Sequence, residues 1–249
     1  MRLEIAYIRS KIGLFRSRLI YDYKPFNRKK MIRFYSNFIK PGDLCFDIGA
    51  HTGNRTGAWL SIGGYVVAVE PQPACIDLLE KKFSKDDRFF LLKNAVGKVP
   101  GKAILYISTL NPTVSTLSKE WIDVLRNFES SSLWDENVEI DMIMLDTIIE
   151  IFGCPEFCKI DVEGYEVEAL EGLSVPIKAL SFEFFPTTPW QTEKCIGRLE
   201  ALGTYSYNWS LTESFRLKET NWLPADEMLR TIQGYAGRKS GDVYARLQP

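Results

Sequence analysis

Residues 44–70 constrain the fold more than any other stretch. The apolar run Leu44-Cys45-Phe46-Asp47-Ile48 passes at once into Gly49-Ala50-His51-Thr52-Gly53. A short apolar run carrying a carboxylate near its end suits a buried parallel strand, because strands covered on both faces show no polar alternation. Gly49 and Gly53 permit a sharp turn and let a ligand lie against main-chain amides, while Thr52 or Asn54 is placed to cap a helix reaching about Ile62. Gly63-Gly64 ends that helix, and Tyr65-Val66-Val67-Ala68-Val69 follows as a second strand closing on Glu70, 21 residues after Gly49. A βαβ unit puts an acidic side chain there to accept both ribose hydroxyls of a nucleoside.

The glycine spacing bears on which nucleoside. A dinucleotide fingerprint needs Gly-x-Gly-x-x-Gly with a helix N-terminus aimed at a pyrophosphate, whereas these glycines fall at 49, 53 and 57. A Gly-x-x-x-x-Gly-Lys-Ser/Thr phosphate loop is missing too, and Asp47 sits where a cationic ligand is favoured over a pyrophosphate. S-adenosylmethionine, with its ribose, ammonium and sulfonium, satisfies these conditions. The bland reading makes Asp47 a helix-capping acid and Glu70 an exposed strand-end charge.

The turn resembles motif I of the class I S-adenosylmethionine-dependent methyltransferases and, more narrowly, the FkbM family. Glu70-Pro71, Asn94-Ala95-Val96-Gly97 and Lys159-Ile160-Asp161-Val162-Glu163-Gly164-Tyr165-Glu166 extend the resemblance, which covers about residues 40 to 185. It implies a doubly wound, mostly parallel seven-stranded sheet and S-adenosylmethionine as cofactor. It also implies Asn94 and Ala95 beside the adenine, although an Asn there also makes an ordinary turn. A Ser/Thr-rich stretch of the family falls at Ser115 and Thr116, which then reach the substrate or else merely begin the next helix. The preference for a hydroxyl acceptor, on a glycan or small metabolite, comes from this resemblance alone.

With 45% hydrophobic and 25% charged residues, 249 residues suffice for one large α/β domain, assigned to 41–249 behind a helical extension at 1–40. No apolar stretch approaches a membrane span and the N-terminus lacks a secretory pattern, so the expected location is cytoplasmic. Five scattered cysteines suit reduced thiols, and Cys154-x-x-x-Cys158 lacks the second pair of a zinc site. The expected metal is none: Asp161 is placed like the ligands of Mg²⁺-dependent O-methyltransferases, but no Asp-Asn partner follows it.

Charge is uneven. Residues 1–40 hold eleven Lys or Arg against two acidic residues, +9, which leaves −10 for the remainder. Ile5, Ile8, Ile12, Phe15 and Leu19 recur at helical spacing and define a basic amphipathic helix. Such a helix docks on the body or on a second subunit of a homo-oligomer, with an anionic membrane surface or an anionic substrate as alternatives. A second basic helix over 28–35 is a candidate lid. The acidic remainder and the missing Asn/Asp-Pro-Pro-Tyr/Phe motif argue against nucleic acid.

Further along, helices are expected over 73–83, 120–128, 166–172, 190–202 and 225–232, and strands over 89–92, 103–107, 138–145, 157–161, 179–183, 205–209 and 241–247. Ser130-Ser131-Ser132 reads as a flexible break. In an open α/β sheet ligands bind at the carboxyl ends of the strands, so Asp47, Glu70, Asp161 and Glu183 should gather on one edge. Methylation of a hydroxyl needs a dry, aligned pocket and a base, for which Asp161, Glu183 and His51 are candidates. His51, the sole histidine, is otherwise a loop residue that packs against cofactor or backbone. Phe184-Phe185-Pro186 suggests an apolar substrate wall, and Trp190, Trp209 and Trp222 either stack on a substrate or belong to the core. A nicotinamide-dependent oxidoreductase and a binding module with a vestigial pocket are the alternatives.

Overall fold

The computed structural model describes residues 25–126 and 133–249. The basic amphipathic helix read over residues 5–19, the serine run and the end of the helix expected to reach Phe128 lie outside the described residues.

The chain opens with α1 (Pro25–Tyr35), β1 (Leu44–Ile48), α2 (Asn54–Ile62), β2 (Tyr65–Val69), α3 (Pro73–Phe83), β3 (Phe89–Leu92), β4 (Ala95–Val96) and β5 (Gly101–Ile107). It continues with α4 (Lys119–Arg126), β6 (Glu136–Ile143), α5 (Leu145–Phe152), β7 (Phe157–Ile160), α6 (Glu166–Glu171) and β8 (Ala179–Phe184). The chain closes with α7 (Pro189–Glu200), β9 (Tyr205–Leu211), α8 (Ala225–Gln233) and β10 (Gly241–Leu247). A seven-stranded sheet runs β3-β2-β1-β7-β8-β10-β9, parallel from β3 to β8, with β10 antiparallel to both its neighbours. This is the mostly parallel, doubly wound sheet expected.

Strand alternation divides the core into two layers. Phe46, Ile48, Val67, Val69, Cys158 and Ile160 face α5 to α8. On the other face Cys45, Val66 and Phe157 meet Met31, Phe34 and Tyr35 of α1 and Trp59 of α2 in an aromatic cluster. Tyr35 lies edge-on to Trp59 at 5.3 Å and to Phe157 at 5.7 Å. The helix that carries Arg28, Lys29 and Lys30 thus buries its apolar side in the body, and Met31, Phe34, Tyr35 and Ile39 belong to the core.

The strands expected near 103–107 and 138–145 join β4 in a second, three-stranded sheet, β4-β6-β5. One sequence expectation needs correction. Neither Thr52 nor Asn54 caps α2. Gly53 holds that position at φ 78 with no side-chain hydrogen bond, a left-handed conformation available to glycine at little cost. A Cβ on Gly53 would meet Leu79 and Phe83 of α3 at 2.6 and 2.5 Å, so this glycine serves helix packing and stands outside the cavity wall.

Candidate functional site

The order of strands reverses between β1 and β7, and the crevice at their carboxyl ends is where an open α/β sheet takes its ligand. A cavity of about 260 Å³ lies there. Asp47, Gly49, His51, Glu70, Asn94 and Ala95 line it, as do Asp161, Glu183, Ser115 and Thr116. The second sheet contributes Val96 and Leu105 as an apolar wall.

The loop after β1 is built by its own hydrogen bonds. The N–H groups of Gly49 and Ala50 donate to the Val69 carbonyl, that of Gly53 donates to Ala50, and that of His51 donates to Glu70 Oε2 at 2.8 Å. The expectation that main-chain amides receive the ligand therefore fails for these four residues. Gly49, at φ 81, is required for another reason: a Cβ there would lie 1.8 Å from the Asp161 carbonyl oxygen, so it lets the β1 and β7 loops touch.

Glu70 is 2% exposed, and its second oxygen accepts the Gln72 N–H at 2.8 Å. Burial raises its pKa to about 7, and the amides of Gln72 and His51 limit the rise. Asp47 is buried beside it, pushed upward by burial while the Thr56 hydroxyl, donating at 2.5 Å, favours its charge. His51 adopts φ 48, and its buried Nε2 has no hydrogen-bond partner. Burial lowers its pKa to about 4, which leaves it neutral near pH 7 and a weak base.

At the opposite wall, carboxyl oxygens of Asp161 and Glu183 lie within 4.8 Å of each other, close enough that two negative charges there repel strongly. Burial works against charge on Asp161, but Lys159 and then Arg55 outweigh it and hold this carboxylate well below its ordinary range. Lys159 Nζ is 3.1 Å and Arg55 3.8 Å from Asp161 Oδ2. Burial, then Asp161 and Glu163, push Glu183 well above the usual range. Oxygens of Asp161, Glu163 and Glu183 lie within 4.8 Å of one another, a spacing compatible with a cation, and Lys159 and Arg55 already supply positive charge there.

The other candidates are placed differently from their sequence reading. The Thr116 hydroxyl donates to the Glu163 carbonyl at 2.7 Å and pins that residue at φ 54, while Ser115 Oγ accepts from the Ser108 amide. Both side chains are thus tied to the protein's own backbone. Asn94 donates to the Asp141 carbonyl of β6 at 3.4 Å. Phe184 packs on Trp209 and Phe185 on Trp121, so neither forms the apolar substrate wall expected. Trp209 is core, Trp222 stacks under Arg246 at 4.1 Å, and exposed Trp190 stands away from the cavity. Arg55, Glu163, Glu213 and Asp242 line the cavity without having been singled out. Only the strand-end positions of Glu163 and Asp242 hinted at it.

Residues 47–203 match the profile of the Methyltransferase FkbM domain. The chain belongs to the FkbM methyltransferase family. It is accordingly a methyltransferase, its cofactor is S-adenosylmethionine, and its main sheet is the class I methyltransferase arrangement. Membership removes the nicotinamide oxidoreductase alternative. The Arabidopsis thaliana chloroplastic ribosomal RNA small subunit methyltransferase is 34% identical over 55 residues, which is 22% of this chain and 16% of that protein.

Two solved structures similar to this FkbM chain illustrate the range of neighbours. Precorrin-6y C5,15-methyltransferase from Geobacter metallireducens has 9% identity, coverage of 89% of this chain and 87% of that one, and a TM-score of 0.48. The Burkholderia thailandensis 1,6-didemethyltoxoflavin-N1-methyltransferase, solved with S-adenosylhomocysteine, has 12% identity, coverage of 100% and 90%, and a TM-score of 0.42.

The FkbM cavity fits its cofactor on its own chemistry. The occupied amides leave carboxyl-bearing residues as the main polar lining of the space. Seven carboxyl side chains and one guanidinium line it among the described residues. That polarity suits a sulfonium and an ammonium and opposes a pyrophosphate. No helix among the described residues is long and apolar enough to cross a membrane.

Proposed function

We propose that this chain methylates a hydroxyl of an uncharged glycan or small metabolite, with Glu183 as the proton acceptor. When bound, the cofactor supplies an electrophilic methyl group on a sulfonium. Glu70 would hold the ribose hydroxyls, Asp47 and the loop from Gly49 would face the amino-acid part, and Asn94 and Ala95 would flank the adenine. The observation that carries the reading is the Asp161–Glu183 pair at the cavity wall, with Lys159 Nζ 3.1 Å from Asp161, so that charge is favoured on Asp161 and a proton on Glu183. A carboxylate of raised pKa is the stronger base once its proton has gone, and positive charge in the cavity favours that ionised form. His51, neutral and with a pKa near 4, serves as a cavity contact in this reading, not as the base.

The 55-residue likeness to a ribosomal RNA methyltransferase favours a second reading, an RNA acceptor. The acidic lining opposes it, since a phosphate backbone approaching seven carboxyls against one guanidinium meets repulsion. The test is incubation with methyl-labelled S-adenosylmethionine and separate pools of neutral glycans, small metabolites and RNA, with the methylated atom located by NMR. Label on oxygen in a glycan or metabolite pool is expected. Label confined to RNA, or on nitrogen or carbon, overturns the reading.

A further inference from the structure

Lys159 is a fully buried lysine in the middle of the sheet. It sits on β7 between Asp47 of β1 and Ser181 of β8, and its side chain shares the α1/α2 face with Phe157. Burying an ammonium is costly unless it is paired and hydrogen-bonded. Its Nζ meets Asp242 Oδ1 of β10 at 2.6 Å and Asp161 Oδ2 at 3.1 Å, and the Tyr244 hydroxyl donates to the other Asp242 oxygen at 3.2 Å. Burial opposes its charge, but Asp161 and then Asp242 outweigh that and hold it protonated. A core of this kind would be served as well by apolar residues if stability were its only purpose.

We propose that Lys159 is a positioning residue that, braced by Asp242, fixes Asp161 as the charged member of the Asp161–Glu183 pair and so makes Glu183 the member that exchanges a proton. The geometry supports the division: Lys159 reaches Asp161 directly, while Glu183 has Asp161 and Glu163 as carboxyl neighbours within 4.8 Å. Without the ammonium, two adjacent half-buried carboxyls would share a proton with neither assigned. Other charged groups act on the pair too. Arg55 of α2 supports Asp161 from the cavity side, and Asp47 of β1 faces the same space. His51 is neutral near pH 7, and Glu166 of α6, its carboxyl bound to the Val162 and Gly164 amides, lies behind the loop. Of these only Lys159 is both cationic and fully buried.

The inference rests on the reading of Glu183 as proton acceptor, and its test needs no methyl acceptor, so the two can fail separately. Side-chain carboxyls of the full chain labelled with ¹³C are titrated by NMR from about pH 4 to about pH 9, with Asp161→Asn and Glu183→Gln giving the assignments. In the unsubstituted protein and in Lys159→Arg, Asp161 should stay ionised throughout while Glu183 titrates above the ordinary carboxylate range. In Lys159→Met the Asp161 signal should begin to titrate within the window. Should Lys159→Met not fold, Asp242→Asn decides: the undivided Lys159 charge should move the Glu183 midpoint down by about one pH unit. Titration of Asp161 ahead of Glu183 in the unsubstituted protein overturns the proposal, as do signals unmoved in whichever of Lys159→Met and Asp242→Asn folds.

Discussion

The backbone N–H of His51 donates to Glu70 Oε2 at 2.8 Å, which binds the loop after β1 to the end of β2. The proposed ribose acceptor thereby also shapes the loop that closes the cofactor pocket, and its ionisation becomes coupled to ligand binding.

Cofactor binding should therefore depend on pH. Glu70 in the ligand-free protein has its pKa raised to about 7. Ribose hydroxyls need the carboxylate as acceptor, so a binding protein below that pKa must first release a proton. Affinity for S-adenosylmethionine should be flat above neutrality and fall about tenfold per pH unit below it. Calorimetry at several pH values checks this, and a constant affinity from pH 5 to pH 8 would sink it.

His51 offers a direct readout because it is the chain's one histidine. Its imidazole should titrate at about 4, since burial disfavours the cation. Linkage then has a definite sign: the unfolded chain takes up this proton near its ordinary pKa and the folded chain does not. Stability should accordingly fall as pH drops from about 6.5 towards 4. A single-histidine NMR titration near 6.5 would contradict the buried placement.

Gly49→Ala should destabilise the protein by at least about 2 kcal/mol, from a positive φ and the 1.8 Å approach to the Asp161 carbonyl. Gly197→Ala, inside α7 with nothing within 4 Å of its new Cβ, should instead stabilise by about 0.5–1 kcal/mol. Denaturant melts of the two variants check the contrast, and equal effects would contradict it.

Much of this was legible in the sequence because the main strands are continuous apolar runs punctuated by glycine. β1 spans Leu44–Ile48 as read, and α2 ends at Gly63 at φ 105. The strands over 205–209 and 241–247 were legible too, and the structure pairs them antiparallel. The second sheet was not: β4 is two residues long, below any periodicity, and its partner β6 lies about 40 residues on. Lys159 reads as a polar interruption of an apolar strand until Asp242 arrives 83 residues later. The side chains of Thr116 and Ser115 have the composition of a substrate loop, but their hydroxyls are spent on Glu163 and Ser108. Hydroxyl direction is set by tertiary contacts that spacing does not encode.

The most direct test of the account is a binding isotherm for S-adenosylmethionine with the unsubstituted protein and with Glu70→Ala at neutral pH. One saturable site is predicted, with affinity lowered about tenfold to a hundredfold in the variant, the loss expected for hydrogen bonds to a charged acceptor. Unchanged affinity in a folded Glu70→Ala protein would contradict the placement of the cofactor in this cavity.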